Sequence, residues 1–248
     1  MTVSADARVD PDAASHDLAA DLAWLSEQRR VFDAGQDPSL PLVQRLRSCA
    51  QACEALDQFV QRRVARGDEQ LEEGVASADD TVAARQIHAD VRKALEALSG
   101  AQDEAFITRL GPELAQTGIH LIEWAELDPD EQARMSRWFD RRVYPVLTPM
   151  AVDPGHPFPY ISDLSLNLAV VVADDPEASW HFARVKVPGS FRRFVGLAGG
   201  SRFVPVEQVI AAHLERLFPG MVVLERHPFR VTRDTGVITT VIDSDTRR

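Results

Sequence analysis

Five basic residues in a stretch free of acidic ones are the first place to look for chemistry. From Ala178 to Val206 the chain carries Arg184, Lys186, Arg192, Arg193 and Arg202, and no Asp or Glu. Arg184 and Lys186 alternate with Val185 and Val187, so on a strand both project from one face. Arg192, Arg193 and Arg202 would flank that face on a loop containing Gly199 and Gly200. Guanidinium and ammonium groups grouped this way suit phosphate oxygens. The five therefore form a candidate polyanion patch, to be weighed against a solvated strand face beside an acidic neighbour.

The other reactive residue types stand apart. A nucleophilic or proton-transferring His needs an orienting partner and, for phosphoryl chemistry, a basic surround. His88, His120, His181 and His213 are scattered, while His156 in DPGHPFPY and His227 in RHPFR sit beside prolines that fix the backbone. No residue is assigned a catalytic role. Cys49 and Cys53 lie four apart on the apolar stripe of their helix, with no second Cys/His cluster nearby, so they read as small buried hydrophobes and no metal site is assigned. There is no GxxxxGK[ST] loop and no HRD or DFG in a supporting context.

Composition bounds what can surround these groups. The 248 residues are 45% hydrophobic, enough for two modest cores. No apolar run approaches ~18 residues, and the first residues have neither a basic nor an apolar signal segment, so a cytoplasmic protein without a membrane span is expected. The net charge of −11 is uneven. Residues 1–128 hold 12 Lys/Arg against 24 Asp/Glu, and residues 129–248 hold 15 against 14. An acidic field repels polyanions, so nucleic acid is not an expected partner, and a polyanion would meet the second half.

Periodicity supplies the scaffold. The first half predicts helices over about 17–34, 41–66, 81–98 and 102–116, with breaks at the acidic stretch 67–80 and at Gly100, and Gly118 as a C-terminal cap. In the second half Asp128-Pro129-Asp130-Glu131 starts a helix that runs to about Val143, closed by Pro145. Leu164 to Val172 reads as a strand buried on both faces, and Trp180 to Val187 as a half-buried one. A helix over 206–217 ends at Pro219-Gly220, and 222–232 reads as a strand pair or a strand bent at Pro228. Trp180, Phe182, Phe191, Phe194 and Phe203 are expected in the core, as are Phe158 and Tyr160. The fold class is α+β. A tail over 1–16 leads to an antiparallel helical bundle over 17–118, then to an α+β domain with a mixed sheet over 119–248.

The chain resembles the bacterial polyphosphate kinase family. Its segment AADLAWLSEQRRVF matches a family helix close to RELSWLSFNERVL. Pro41–Ser48 (PLVQRLRS) matches PLLERLKF, and Cys53–Phe59 (CEALDQF) matches SNLDEF. The likeness sharpens at Tyr144–Leu168 (YPVLTPMAVDPGHPFPYISDLSLNL) and continues through FARVKVP, RFVPVEQVI and LFPGMVVLERHPFRVTRD to Asp234. The resemblance implies a helical N-terminal domain and a head, or middle, domain, incomplete at its C-terminus. The family's phosphoryl-accepting histidine, its ATP and its Mg belong to later domains, so no cofactor is expected in this chain. The family Asn that resembles a contact to the nucleotide base is Ala55 here, whose methyl group cannot hydrogen-bond, so no nucleotide site is assigned. The family Glu of LDEF is Gln58. The expectation is a truncated protein, inactive alone, that self-associates or joins a full-length polyphosphate kinase. Two alternatives stand beside it: a portion of an intact enzyme that moves the ATP γ-phosphate reversibly to polyphosphate, and a non-enzymatic polyanion-binding module.

Overall fold

The structure, a computed structural model, describes residues 11–61, 78–152, 160–174 and 180–233. It divides into two compact units, a helical one up to Pro112 and an α+β one from Glu113 to Val231. His156, Phe158 and most of the acidic stretch 67–80 lie outside the described residues, as do the side chains of Leu18, Ile87 and His88.

The helical unit is built on α1 (Pro11–Gly35), α2 (Leu42–Phe59) and α3 (Ala78–Ala105). Residues 11–16, expected in the tail, belong to α1. Pro11 suits a first helical position and Ala13-Ala14 are the strongest helix formers, so the helix starts there. Gly100, expected to separate two helices, does not: α3 runs straight through it. A glycine costs a helix about 1 kcal/mol. The buried line of Val91, Leu98 and Ala105 continues past it and outweighs that cost. A π-helical turn (Phe106–Leu110) and α4 (Gly111–Gln116) follow, and Gly118 takes the left-handed φ of 88° that a C-terminal cap requires.

Packing in this unit centres on Leu25, Phe32, Cys49, Phe59, Val91, Leu98 and Leu110. Trp24 stacks on Phe59 with ring centroids 4.6 Å apart. Where α1 turns into α2 the backbones approach closely. A Cβ on Gly35 would fall 1.8 Å from Ser48 Oγ. Buried Gln36 bridges the same turn, donating from Nε2 to the Arg45 carbonyl at 3.2 Å.

The second unit holds two sheets. The larger is antiparallel, in the order β2 (Pro149–Val152), β4 (Trp180–Lys186), β3 (Leu166–Ala173), β7 (Val222–Arg230). The smaller is mixed: β6 (Arg202–Pro205) lies between β1 (His120–Leu121), parallel to it, and β5 (Phe194–Gly196), antiparallel. Of these, β1, β2, β5 and β6 are short strands that alternation alone does not reveal, and Arg202, expected on a loop, opens β6 because that strand pairs with β1 on one side and β5 on the other. The core forms where Leu168, Val170 and Val172 of β3 and Ala183 and Val185 of β4 meet Met135, Phe139 and Val143 and the buried residues of α6 (Val206–Ala211) and α7 (Leu214–Leu217). β3 is central, but its burial is uneven. Leu168, Val170 and Val172 are buried on the core face, while Ala169 and Val171 on the other face are only half-buried, so between Leu168 and Val172 the strand expected to be buried on both faces is fully so on one.

Two expectations change. Pro228 interrupts nothing: it pairs in register with Leu168 inside a continuous β7. Among the described residues β7 pairs only with β3, and on an edge strand a missing N–H is harmless where it faces away from the ladder. The aromatics also divide. Phe191 packs against the core, but Trp180 is 67% exposed, Phe194 44% and Tyr160 74%. Trp180 opens β4 and Phe194 opens the edge strand β5, where little lies above a side chain. Among the described residues, no helix is long and apolar enough to cross a membrane.

Candidate functional site

The five residues of the candidate polyanion patch are placed on different elements. Arg184 is buried, with its guanidinium donating to the Tyr160 carbonyl at 3.2 Å. Its partner across β3 is Ala169, and Lys186, on the same face, donates to Ser162 Oγ at 3.1 Å. Arg193, just before β5, donates twice to Oε1 of buried Glu207, at 2.8 and 3.2 Å. Arg202, on β6, is ion-paired with Glu131. Arg192 is exposed. Four of the five thus hold internal acceptors, and Arg192 alone of them extends from the surface with no such clamp among the described residues.

The Glu131 pair arises from local sequence. Asp128 is the N-cap of α5 (Pro129–Trp138), and its carboxylate accepts from the Glu131 backbone N–H at 2.7 Å. Glu131 returns a bond, accepting from the Asp128 N–H at 3.2 Å. This reciprocal box turns the Glu131 side chain inward, where Arg202 neutralises it. A second clamp joins distant segments: the Trp124 N–H donates to Gln208 Oε1 at 2.7 Å, and Gln208 Nε2 donates to Glu123 at 2.9 Å.

His213 is buried, stacked on Phe139 (centroids 4.4 Å) with Trp124 edge-on (5.2 Å). Its ring nitrogens reach the Val209 carbonyl at 2.7 Å and Ser136 Oγ at 2.8 Å. His227 is exposed on β7, 3.5 Å from the Glu225 carboxylate. His120 lies exposed on β1, and His181 on β4 pairs with Val172 of β3. Among the described residues, no three His, Cys, Asp or Glu side chains gather as a metal site.

Cys49 and Cys53 are free thiols in the helical core. Cys53 donates to Gln102 Oε1 at 3.4 Å. Burial is the main cause that pushes the Cys53 thiol up to about 11, with Cys49, Asp57 and Asp103 adding to it. Burial also raises Cys49. Both are therefore held as thiols and make poor nucleophiles. Ala55 and Gln58 occupy the neighbouring turns of α2, and Gln58 donates to Glu54 at 3.4 Å.

Among the described residues, a denser concentration of free positive charge lies outside the patch that the sequence singles out. Arg134 and Arg137 of α5, with Arg141 and Arg142 of the π-helical turn Phe139–Val143, surround Trp138. Together they line a shallow pocket of about 310 Å³. All four arginines are exposed. Asp140, the one acid in the span 134–142, is taken by Arg216. Trp138 is half-buried and packs edge-on against Phe191, 5.8 Å away. The signal is present as ARMSRWFDRR on a correctly expected helix, but such a run looks like any solvated face until the π turn is known. A π turn adds a residue to the turn and rotates the next side chains around the axis, and here both Arg141 and Arg142 line the pocket.

Comparison with known proteins gives a consistent picture. Residues 18–122 match the polyphosphate kinase N-terminal domain and residues 130–244 the polyphosphate kinase middle domain. The second match runs ten residues past Asp234, the point at which the likeness is expected to stop. A polyphosphate kinase from Streptomyces coelicolor is 46% identical over 218 residues, which are 88% of this chain and 29% of that protein. One from Mycobacterium avium is 42% identical over 233 residues, 89% of this chain and 32% of that protein. The crystal structure of polyphosphate kinase from Porphyromonas gingivalis superposes with a TM-score of 0.76 at 25% identity, over 88% of this chain and 33% of that one. The chain thus spans about a third of the length of the relatives it matches.

Proposed function

The chain belongs to the polyphosphate kinase family, and we propose that it is a non-catalytic member: an N-terminal helical unit and a head unit that act in the cytoplasm by assembling with a second copy or with a full-length polyphosphate kinase. The observation that carries this reading is the use made of the candidate reactive groups. Arg193 and Arg202 hold Glu207 and Glu131, Arg184 holds a backbone carbonyl, and His213 is fixed between two aromatic rings. A phosphoryl-transfer centre needs such groups turned toward a transferred phosphoryl group instead. The position matching the family's base-contacting Asn is Ala55, a methyl group.

Association has a surface to use. β7 is nine residues long and, among the described residues, pairs on one side only. Val222 and Leu224 are exposed along it. A strand edge with open N–H and C=O groups recruits another chain unless it is covered. The test is size-exclusion chromatography with light scattering, run on the chain alone and mixed with a full-length polyphosphate kinase, beside an assay for polyphosphate made from ATP. A dimer or a mixed complex without synthesis by the chain alone supports the proposal. Synthesis by the chain alone, or a monomer that never coelutes, overturns it.

A second reading is favoured by the span of the match. Identity of 42–46% across both domains is what a portion of an intact polyphosphate kinase would give, and in that case the function is reversible transfer of the ATP γ-phosphate to polyphosphate. In-frame coding sequence downstream would decide for it.

A further inference from the structure

We infer that the arginine face of α5 and its π turn, with Trp138 as its floor, is a binding site for a phosphate chain: a run of linked phosphoryl groups, free or carried on a nucleotide. The inference rests on the family reading above for its ligand class and on the geometry of Arg134, Arg137, Trp138, Arg141 and Arg142 for its location.

Four side chains converge on one pocket, and all four are guanidiniums. Arginine's planar fork matches two phosphate oxygens at once, which a lysine does not. Among the described residues none of the four meets a carboxylate, whereas Arg193, Arg202 and Arg216 each do. The internal acid, Asp140, is neutralised by Arg216. The face therefore carries uncompensated positive charge on a chain whose net charge is −11.

Shape narrows the ligand. Arg134 to Arg141 spans two helical turns, about 10 Å along the axis. An extended chain of phosphoryl groups can meet several guanidiniums in succession over that length, and a single phosphate cannot. The floor is the half-buried ring of Trp138, held edge-on by Phe191. An apolar floor lowers the local dielectric and strengthens each charge-assisted bond. It also offers a ring on which a base can stack. A carboxylate-bearing partner helix would need a longer groove than a shallow pocket of about 310 Å³.

The test uses the full chain and anisotropy of labelled inorganic polyphosphate at several salt concentrations. Arg137→Gln/Arg141→Gln is compared with Lys186→Gln/Arg192→Gln. All four arginines on α5 and its turn face solvent, so circular dichroism and the melting temperature of the α5 variant should match the parent. Removing two charge-assisted contacts is expected to weaken binding roughly a hundredfold and to lower the slope of log affinity against log salt by about 2. The Lys186/Arg192 variant is expected to bind as the parent does.

The source of the phosphate chain is read with tripolyphosphate and ATP in calorimetry, each against Trp138→Leu. If ATP binds no tighter than tripolyphosphate and the tryptophan variant treats them alike, the site takes an inorganic chain. If only ATP binding falls in that variant, it takes a nucleotide. Absence of binding by the parent at low salt would overturn the inference. So would loss through the Lys186/Arg192 pair instead. So would α5 variants that keep phosphate binding but lose coelution with a full-length kinase, which would make the face a protein contact. A parent chain that coelutes but binds no polyphosphate would leave the assembly reading intact and overturn this one, and a parent that binds polyphosphate without ever coeluting would do the opposite, so the two fail separately.

Discussion

Arg202 on β6 is ion-paired with Glu131, the residue that completes the capping box of α5. One member of a patch expected to hold an external anion thus holds an internal one. The carboxylate is nearly buried, at 5% exposure, and the guanidinium is about a third exposed. Removing one partner leaves the other without compensation, and for a half-solvated pair that costs about 2 kcal/mol. Arg202→Met is expected to lower the stability measured by urea unfolding by that amount. Glu131→Gln should do the same, with some added loss of the cap. The double variant is expected to lose less than the sum of the two, and strict additivity would mean that the pair contributes nothing.

The junction of α1 and α2 gives a steric prediction. A methyl group on Gly35 would meet Ser48 Oγ at 1.8 Å and Ser48 Cβ at 2.8 Å. The second contact is to an atom fixed on the α2 backbone, so rotating the hydroxyl does not relieve it. Gly35→Ala is expected to destabilise the helical unit by about 1–3 kcal/mol through overpacking. Ser48→Gly removes both contacts and should recover most of the loss in the double variant. Equal thermal melts for Gly35→Ala and the parent would refute the close approach.

Much of this is legible in the sequence, for identifiable reasons. Asp128-Pro129-Asp130-Glu131 encodes a helix start within four residues, and the capping box is there. The apolar run of β3 marks a central strand, and Leu168, Val170 and Val172 are buried, although Ala169 and Val171 on its other face are only half-buried. What escapes depends on contacts between distant positions. Glu131 and Arg202 are 71 positions apart, and Glu207 reaches back to Arg193 only because α6 follows β6 directly. No local pattern says which of several arginines will be taken up by such acids. The arginines around Trp138 escape for the opposite reason: they meet no carboxylate among the described residues, and a face without ion pairs has no signature beyond its charge.

Gly100 tests the correction to the helix count. It lies within α3, and a Cβ there would meet nothing within 4 Å. Its backbone is helical, so an L-residue fits without strain. Gly100→Ala removes unfolded-state freedom and adds helix propensity, which together should raise stability by about 0.5–1 kcal/mol. Gly100→Pro is expected to cost about 3 kcal/mol or more, because it breaks a continuous helix. If the glycine instead marked a break, proline would be tolerated and alanine would gain nothing.

The thiols give a prediction in pH. Burial raises Cys49, and raises Cys53 to about 11, against an ordinary value of 9.0. The folded state therefore holds these protons more tightly than the unfolded chain. Their contribution to stability is fully present below the unfolded value and is lost as pH rises through the folded one. Unfolding midpoints should be flat in this respect up to about pH 9 and decline between pH 9 and 11. Cys53→Ala should flatten the steeper part of that decline while costing some packing at neutral pH. Alkylation provides a second readout. At pH 8 iodoacetamide should modify the native chain far more slowly than the urea-unfolded chain, because only the unfolded thiols are appreciably ionised there. Equal rates in the two states would mean that the cysteines are neither buried nor shifted, and that the stripe they occupy on α2 faces solvent.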